Sequence, residues 1–360
     1  MSAVAKIVWI AGLAAVVGLI FSTGVAPVEG AFEAAGFGVA GVCLLRGVAV
    51  ACAGLGWFVL FPPAVRPNAL TCVLIRFLRE GANALLPMTQ VGGEVIGARA
   101  LTLRGFPASL SAASLVVDVL VQAVTQFLFA ALGVAMLASA ARSSAVGGTV
   151  AAVVAVAAPA LGGFYFVQRP AGLRLVKTVL ARVAGKRAWL SFGAIEALYS
   201  QLRSIYGNRS GLIAAFAIHS AIWLFGALEV LLILIAMGLP ASYPEALIIE
   251  SLLQAIRGAA FAIPGALGAQ EGGLIAICAL FGLPAEAAIA MSLIKRVPDV
   301  VFGVPSLLGW QMLEGWTLFA VDDPRIPAGG GWQWLRHPLP ASVRSTATPL
   351  AQAPPRSPPK

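Results

Sequence analysis

Two glutamates stand where a carboxylate is costly. Glu94 lies in LLPMTQVGGEVIGAR (85–99) and Glu271 in FAIPGALGAQEGG (261–273), both within strongly apolar sequence. A carboxylate at membrane depth, beside backbone broken by proline and glycine, is tolerated where it lines a protein-enclosed or wet cavity. In each block a proline precedes the glutamate by seven residues, Pro87 before Glu94 and Pro264 before Glu271. Each proline follows an arginine, Arg79 or Arg257, by about two helical turns. Gly92 and Gly93 precede the first glutamate, and Gly272 and Gly273 follow the second. Half-helix N-termini at such breaks offer partial positive charge and free N–H groups to anions such as a phosphate. Arg79, Arg257, Lys295 and Arg296 would add full positive charge. Glu94 and Glu271 would neutralise that charge in an empty site, or exchange protons. The alternative is a set of buried ion pairs that only align helices. Two matched sets, each at a helix break, favour the functional reading.

The elements that must position these residues are membrane helices. The chain of 360 residues is 59% hydrophobic and 11% charged, and apolar runs of about 20 residues recur along it, long enough to cross a bilayer. A soluble core of this length would carry far more charge. The formal net charge of +9 bears on orientation rather than on nucleic acid, because Lys and Arg collect in cytoplasmic loops. Cys43, Cys52, Cys72 and Cys278 form no CxxC pair, which argues against a disulfide framework or a metal site. His219 and His337 lack ligand-like companions and read as a helix-packing and a tail histidine. No cofactor is expected.

The pattern predicts an all-α membrane domain over 1–316 with about six spans and two broken-helix hairpins. Residues 7–61 hold two spans, the first over 7–24 and the second over 37–61. The first has a basic start, as a signal peptide does, but its length and the lack of a cleavage site mark a retained helix. Pro27 is expected to end it, with Glu29 and Glu33 in a short loop. Arg46 lies inside the second span, either snorkelling or paired in the bundle. Residues 68–106 carry Arg76, Arg79 and Glu80 before Pro87, and Arg99 and Arg104 after it. Basic residues at both ends fit a re-entrant hairpin turning near 87–93; a single amphipathic surface segment is the competing reading. Two spans follow over 108–167, the first bearing Asp118. Residues 169–210 hold eight basic side chains and one acidic one, Glu196, with helically spaced apolar positions. This cytoplasmic loop of amphipathic helix serves as a topology signal, grips anionic headgroups, or both. A span over 211–239, a second hairpin over 243–283 and a last span over 284–311 complete the domain. The last span carries Lys295, Arg296 and Asp299. A Pro/Gly-rich tail over 317–360 is expected to be disordered and cytoplasmic.

Placing the basic loop inside puts both termini in the cytoplasm and opens the two hairpins from opposite faces. Span, hairpin, span then occurs twice, as an inverted repeat. Asp118 in VVDV and Asp299 in VPDV occupy similar depths in the span after each hairpin. Inverted repeats of this kind build transporters whose site lies near the midplane, between broken helices.

The blocks LLPMTQVGGEVIGARALTLRG and IPGALGAQEGGLIAICALFGLPAEAAIAMSLIKRVPDVVFGVPSLLGWQ resemble the two signature regions of the flippase-like membrane family named for the transmembrane region of lysylphosphatidylglycerol synthases. The resemblance covers roughly 7–316, and the second block most resembles the hopanoid-associated branch. It implies a multi-pass protein of the bacterial inner membrane that moves or handles lipids. The family motif falls on Pro87, Gly93, Glu94 and Arg99, and on Pro264, Gly265, Gly268, Gln270, Glu271, Gly272 and Arg296. Residues 88–91 are looser than the family's usual glycine-bearing pattern. The synthases carry a separate soluble aminoacyl-transferase domain that nothing after the last span here matches, so that activity is not expected.

The expected activity is therefore lipid translocation rather than catalysis. GALGAQEGG lacks the preceding strand and the Lys-Ser/Thr ending of a nucleotide loop. The expected partners are membrane lipids, hopanoid or anionic phospholipid, and lipid-biosynthesis enzymes. A lipid-tailoring role using paired carboxylates, and a scaffold for a biosynthetic complex, are the competing functions.

Overall fold

A computed structural model describes residues 25–86, 92–141, 162–163, 165–169, 188–260 and 263–320. The expected first span, most of the fourth, the first part of the basic loop, Pro87 and nearly all of the tail lie outside these residues. The described residues are helical, with no strand among them. The α-helices are α1 (Val25–Ala35), α2 (Gly38–Leu60), α3 (Ala69–Leu85), α4 (Gly92–Leu103), α5 (Ala108–Ala141), α6 (Ala188–Gly207), α7 (Arg209–Ala236), α8 (Tyr243–Ala259), α9 (Ala269–Ala279) and α10 (Ala285–Ala320).

Among the described residues, three helices are long and apolar enough to cross a membrane: Gly38–Leu60, Ala108–Ser139 and Arg209–Ala236. Only 33–39% of their apolar windows is buried inside the protein. The rest of each helix shows side chains such as Leu44, Leu55, Leu132 and Ile213 to the outside, as a lipid-facing surface requires. α10 shows the same kind of face through Val300, Val301, Val304 and Leu308, but Lys295, Arg296 and Asp299 interrupt its apolar run. It continues through Pro298 and Pro305 and passes the expected end at 311 by nine residues, to Ala320. Membrane helices tolerate such prolines because neighbours satisfy the backbone they free. The expected loop around Glu29 and Glu33 is instead α1. Pro27 lies within it.

Local chemistry sets the helix ends. α2 stops before Phe61-Pro62-Pro63, which cannot continue a helix. Asn68 caps α3, its side chain accepting the Leu70 N–H at 2.8 Å. Asn208 accepts the Gly211 N–H at 3.2 Å and donates to the carbonyls of Val59, Leu60 and Phe61 at 3.0–3.3 Å. It thereby starts α7 and ties it to the end of α2. Ser242 and Glu245 form a capping box on α8.

The two broken regions are helical hairpins. α3 packs on α4, and α8 packs on α9. Each hairpin has its own core. Trp57, Leu60, Cys72, Leu101, Leu110 and Ile205 surround the first. Val42, Ile233, Ile249, Leu253, Leu274 and Met291 surround the second. Within the expected basic loop, α6 is docked on α5, with Leu202 and Ile205 buried in the first core. Small residues let α3 cross α10 closely. A Cβ on Gly81 would lie 2.7 Å from the Gly303 Cα, so only glycine fits there.

Candidate functional site

The first hairpin gathers three of the expected residues. Arg79 of α3 is 1% exposed. Its Nη2 lies 2.6 Å from Glu94 Oε2 on α4 and 2.8 Å from Asp118 Oδ2 on α5. The guanidinium also sits over the Trp57 ring, 5.3 Å from its centroid. Arg76, one turn earlier, reaches Asp118 Oδ2 at 3.4 Å, donates to Gln122 Oε1 at 2.7 Å and pairs with Glu80. Asp118 also accepts from Gln122 Nε2 at 2.8 Å and lies 3.2 Å from His219 Nε2 of α7. A fully buried carboxylate is thus surrounded by two guanidiniums, an amide and an imidazole, which offsets the cost of its desolvation. Gly93 N–H donates to Asn83 Oδ1 at 2.7 Å, so the first half of the hairpin caps the second.

In the second hairpin the carboxylate locks the turn. Pro264–Ala266 forms one 3-10 turn, and Gly265 (φ +61°) and Gly268 (φ +79°) take left-handed conformations that favour glycine. Glu271 is 0% exposed. Its Oε1 accepts from Arg296 Nε at 3.0 Å, Arg296 Nη2 at 2.8 Å and Ser292 Oγ at 2.8 Å. Its Oε2 accepts the Gly268 N–H at 2.8 Å and so caps α9. Gln270 Nε2 donates to Ser292 Oγ at 2.8 Å, and Arg296 Nη1 donates to the Gly265 carbonyl at 3.0 Å. The Gly265 carbonyl, the Gly268 N–H and the Gln270 and Glu271 side chains thus find partners on α10 or in the turn itself.

A third cluster joins the spans. Lys295 Nζ lies 2.9 Å from Glu250 and 3.2 Å from Glu229, and Arg46 Nη2 lies 2.7 Å from Glu229. Lys295 is sealed inside the protein, away from any opening.

A cavity of about 600 Å³ separates the hairpins, within the size range of ligand pockets. Its wall includes Gly81, Asn83 and Ala84 of the first hairpin and Gln254, Arg257 and Gly265 of the second. Among the described residues, six charged ones line it: Arg46, Arg76, Glu80, Glu94, Arg257 and Asp299. Gln122, Gln126 and Trp223 add polar edges. At one point the hairpins touch, since a Cβ on Gly265 would lie 3.4 Å from the Ala84 carbonyl.

Of the residues singled out from sequence, Glu80, Glu94, Arg257, Gly265 and Asp299 line this cavity. Arg79 and Asp118 stand behind Glu94, and Gln270, Glu271, Gly268 and Arg296 hold the second turn. Pro264 begins that turn. Gly272 faces open space, and Arg99 is on the outer side of α4. Sequence reasoning missed Glu229, and it read His219 as packing alone. Glu229 had a signal: it is the one carboxylate in the long apolar stretch of α7.

Fold and site together define a polytopic helical membrane protein with a charged cavity between two broken-helix hairpins. The chain belongs to the family described as the lysylphosphatidylglycerol synthase TM region, which matches residues 9–309. It is 28% identical over 148 residues to a UPF0104 membrane protein of Methanothermobacter thermautotrophicus, a match covering 38% of this chain. That match spans 43% of the relative's length, less than half of it. No solved structure matches the chain.

Proposed function

We propose that the protein is a lipid translocase, or a lipid-transport component, of the bacterial inner membrane. A headgroup enters the cavity between the hairpins while its apolar body stays in the bilayer. The supporting observation is the cavity itself: six charged residues from both halves of the chain line it, inside a protein whose outer faces are apolar. A charged cavity in such a protein suits a molecule with one polar and one apolar end. The hairpins are re-entrant and open from opposite faces, among six spans, with both termini in the cytoplasm. Each half-hairpin carries one part of the task. Glu94, on the cavity wall and paired with Arg79, gates the first hairpin. Glu271, sealed beneath the second turn, shapes it. Movement is passive or ion-coupled, and the cargo is linked to hopanoid lipids.

The test is a lipid inventory of separated inner and outer membranes from cells with and without the protein. An unchanged total with a changed distribution is expected. Loss of one lipid with accumulation of its precursor would instead identify a tailoring enzyme. No change in either, with partner enzymes displaced from the membrane, would identify a scaffold.

A further inference from the structure

The two halves place matched residues in different states. In the first half the arginine before the break, the glutamate after it and the aspartate of the next span meet: Arg79, Glu94 and Asp118. Their counterparts by position are Arg257, Glu271 and Asp299. In the second half Glu271 is taken by Arg296, Ser292 and the Gly268 N–H. Arg257 and Asp299 are left over. Both line the cavity, from α8 and α10, and neither has a hydrogen bond or an ion pair within 4 Å among the described residues. The other charged residues of the wall are already matched: Arg46 with Glu229, Arg76 with Glu80 and Asp118, and Glu94 with Arg79.

An ionised group withdrawn from bulk water and left unpaired is costly, and the cost falls when a partner of opposite charge arrives. The cavity wall offers one cation and one anion on different helices, each facing the other as its main opposite charge but too far apart to form an ion pair within 4 Å. Its formal charge is balanced, with Arg46, Arg76 and Arg257 against Glu80, Glu94 and Asp299. A purely anionic headgroup would satisfy Arg257 and be repelled by Asp299. A purely cationic one would do the reverse. A molecule carrying both charges satisfies both.

We propose that Arg257 and Asp299 form a headgroup site for a zwitterion, a phosphate diester joined to an ammonium-bearing alcohol. The phosphate meets Arg257, which can bind it through two parallel N–H donors, and the ammonium meets Asp299. This rests on the translocase reading and gives it a substrate class.

The full chain in vesicles tests it, using tail-labelled phosphatidylethanolamine, phosphatidylglycerol and a trimethylammonium diacyl lipid. A membrane-impermeant quencher added outside reads how fast each label crosses. The zwitterionic lipid should cross roughly tenfold faster than either singly charged one, as expected when one partner of a desolvated charge pair is missing. Asp299→Asn should move the preference to phosphatidylglycerol, and Arg257→Gln to the cationic lipid. Equal rates for the three lipids with the unaltered protein would overturn the zwitterion site and leave translocation standing. So would folded variants that keep the original ranking. Uptake of soluble glycerophosphoethanolamine without lipid movement would overturn the lipid as the source of the headgroup. No movement of any probe would overturn the translocase reading and the site with it.

Discussion

Replacing Glu271 by Gln isolates the charge that locks the second hairpin. The side chain keeps its shape, so the effect reads chemistry rather than packing. Oε1 takes three donors, from Arg296 and Ser292, and Oε2 takes one, from Gly268. The amide of Gln has a single acceptor oxygen. Its better orientation keeps that oxygen toward Arg296 and Ser292. The NH2 group then faces the Gly268 N–H, donor against donor, and α9 loses its cap, a loss of about 1 kcal/mol. Arg296 loses its counter-charge. Breaking a buried pair costs about 3–5 kcal/mol, and the 21% exposure of Arg296 reduces that to roughly 2 kcal/mol. The sum is about 3 kcal/mol, which in a protein of 360 residues lowers Tm by roughly 4 °C. Unfolding in mild detergent, followed by helicity, measures the shift, and Arg296→Gln with the double variant completes a cycle. The coupling between the two sites should be about 2 kcal/mol, since each single change strands the other partner. Lipid transport should fall while membrane insertion is kept. A Tm within about 1 °C of the unaltered protein, or additive single changes, would refute the assignment of this pair as the lock.

Other outcomes follow from the same geometry. Asp118→Asn leaves Arg76 and Arg79 without their shared carboxylate in a fully buried setting, so it should destabilise by about 3–5 kcal/mol, more than Glu94→Gln, whose side chain reaches the cavity. The comparison is made by unfolding in the same detergent. Gly81→Ala drives a methyl toward the Gly303 Cα at 2.7 Å and should separate α3 from α10, lowering the yield of monodisperse protein. Gly272→Ala meets nothing within 4 Å and should hold or raise stability by about 0.5–1 kcal/mol, as alanine suits a helix better than glycine.

Much of the frame was legible because membrane insertion imposes long-range rules on local sequence. The second span, the first span after the first hairpin and the span after the basic loop appear close to their expected bounds, since an unbroken apolar run leaves few alternatives. The breaks were legible from proline and glycine. α3 ends at Leu85 and α4 begins at Gly92, and the second break holds Pro264, Gly265 and Gly268. Pro27 misled, because it lies inside α1, and Glu29 and Glu33 are helical rather than in a loop. The site was legible as a list of costly residues, not as a set of partners. Charge placement in sequence says that Arg79, Glu94 and Asp118 must be compensated, but not that they compensate one another. Nor does it say that Lys295 turns to Glu229 and Glu250 while Arg296, its neighbour, turns to Glu271. Those choices depend on helix rotation, which packing of the two cores decides.

The proposed route takes headgroups through the cavity between the hairpins. Ala123 lines that cavity from α5, and Ala123→Trp fills part of it without replacing a charged group. The decisive measurement is lipid scrambling in vesicles holding either form at equal density. The unaltered protein should scramble lipid above the protein-free background, and folded Ala123→Trp should not. Scrambling by Ala123→Trp at the unaltered rate would contradict that route.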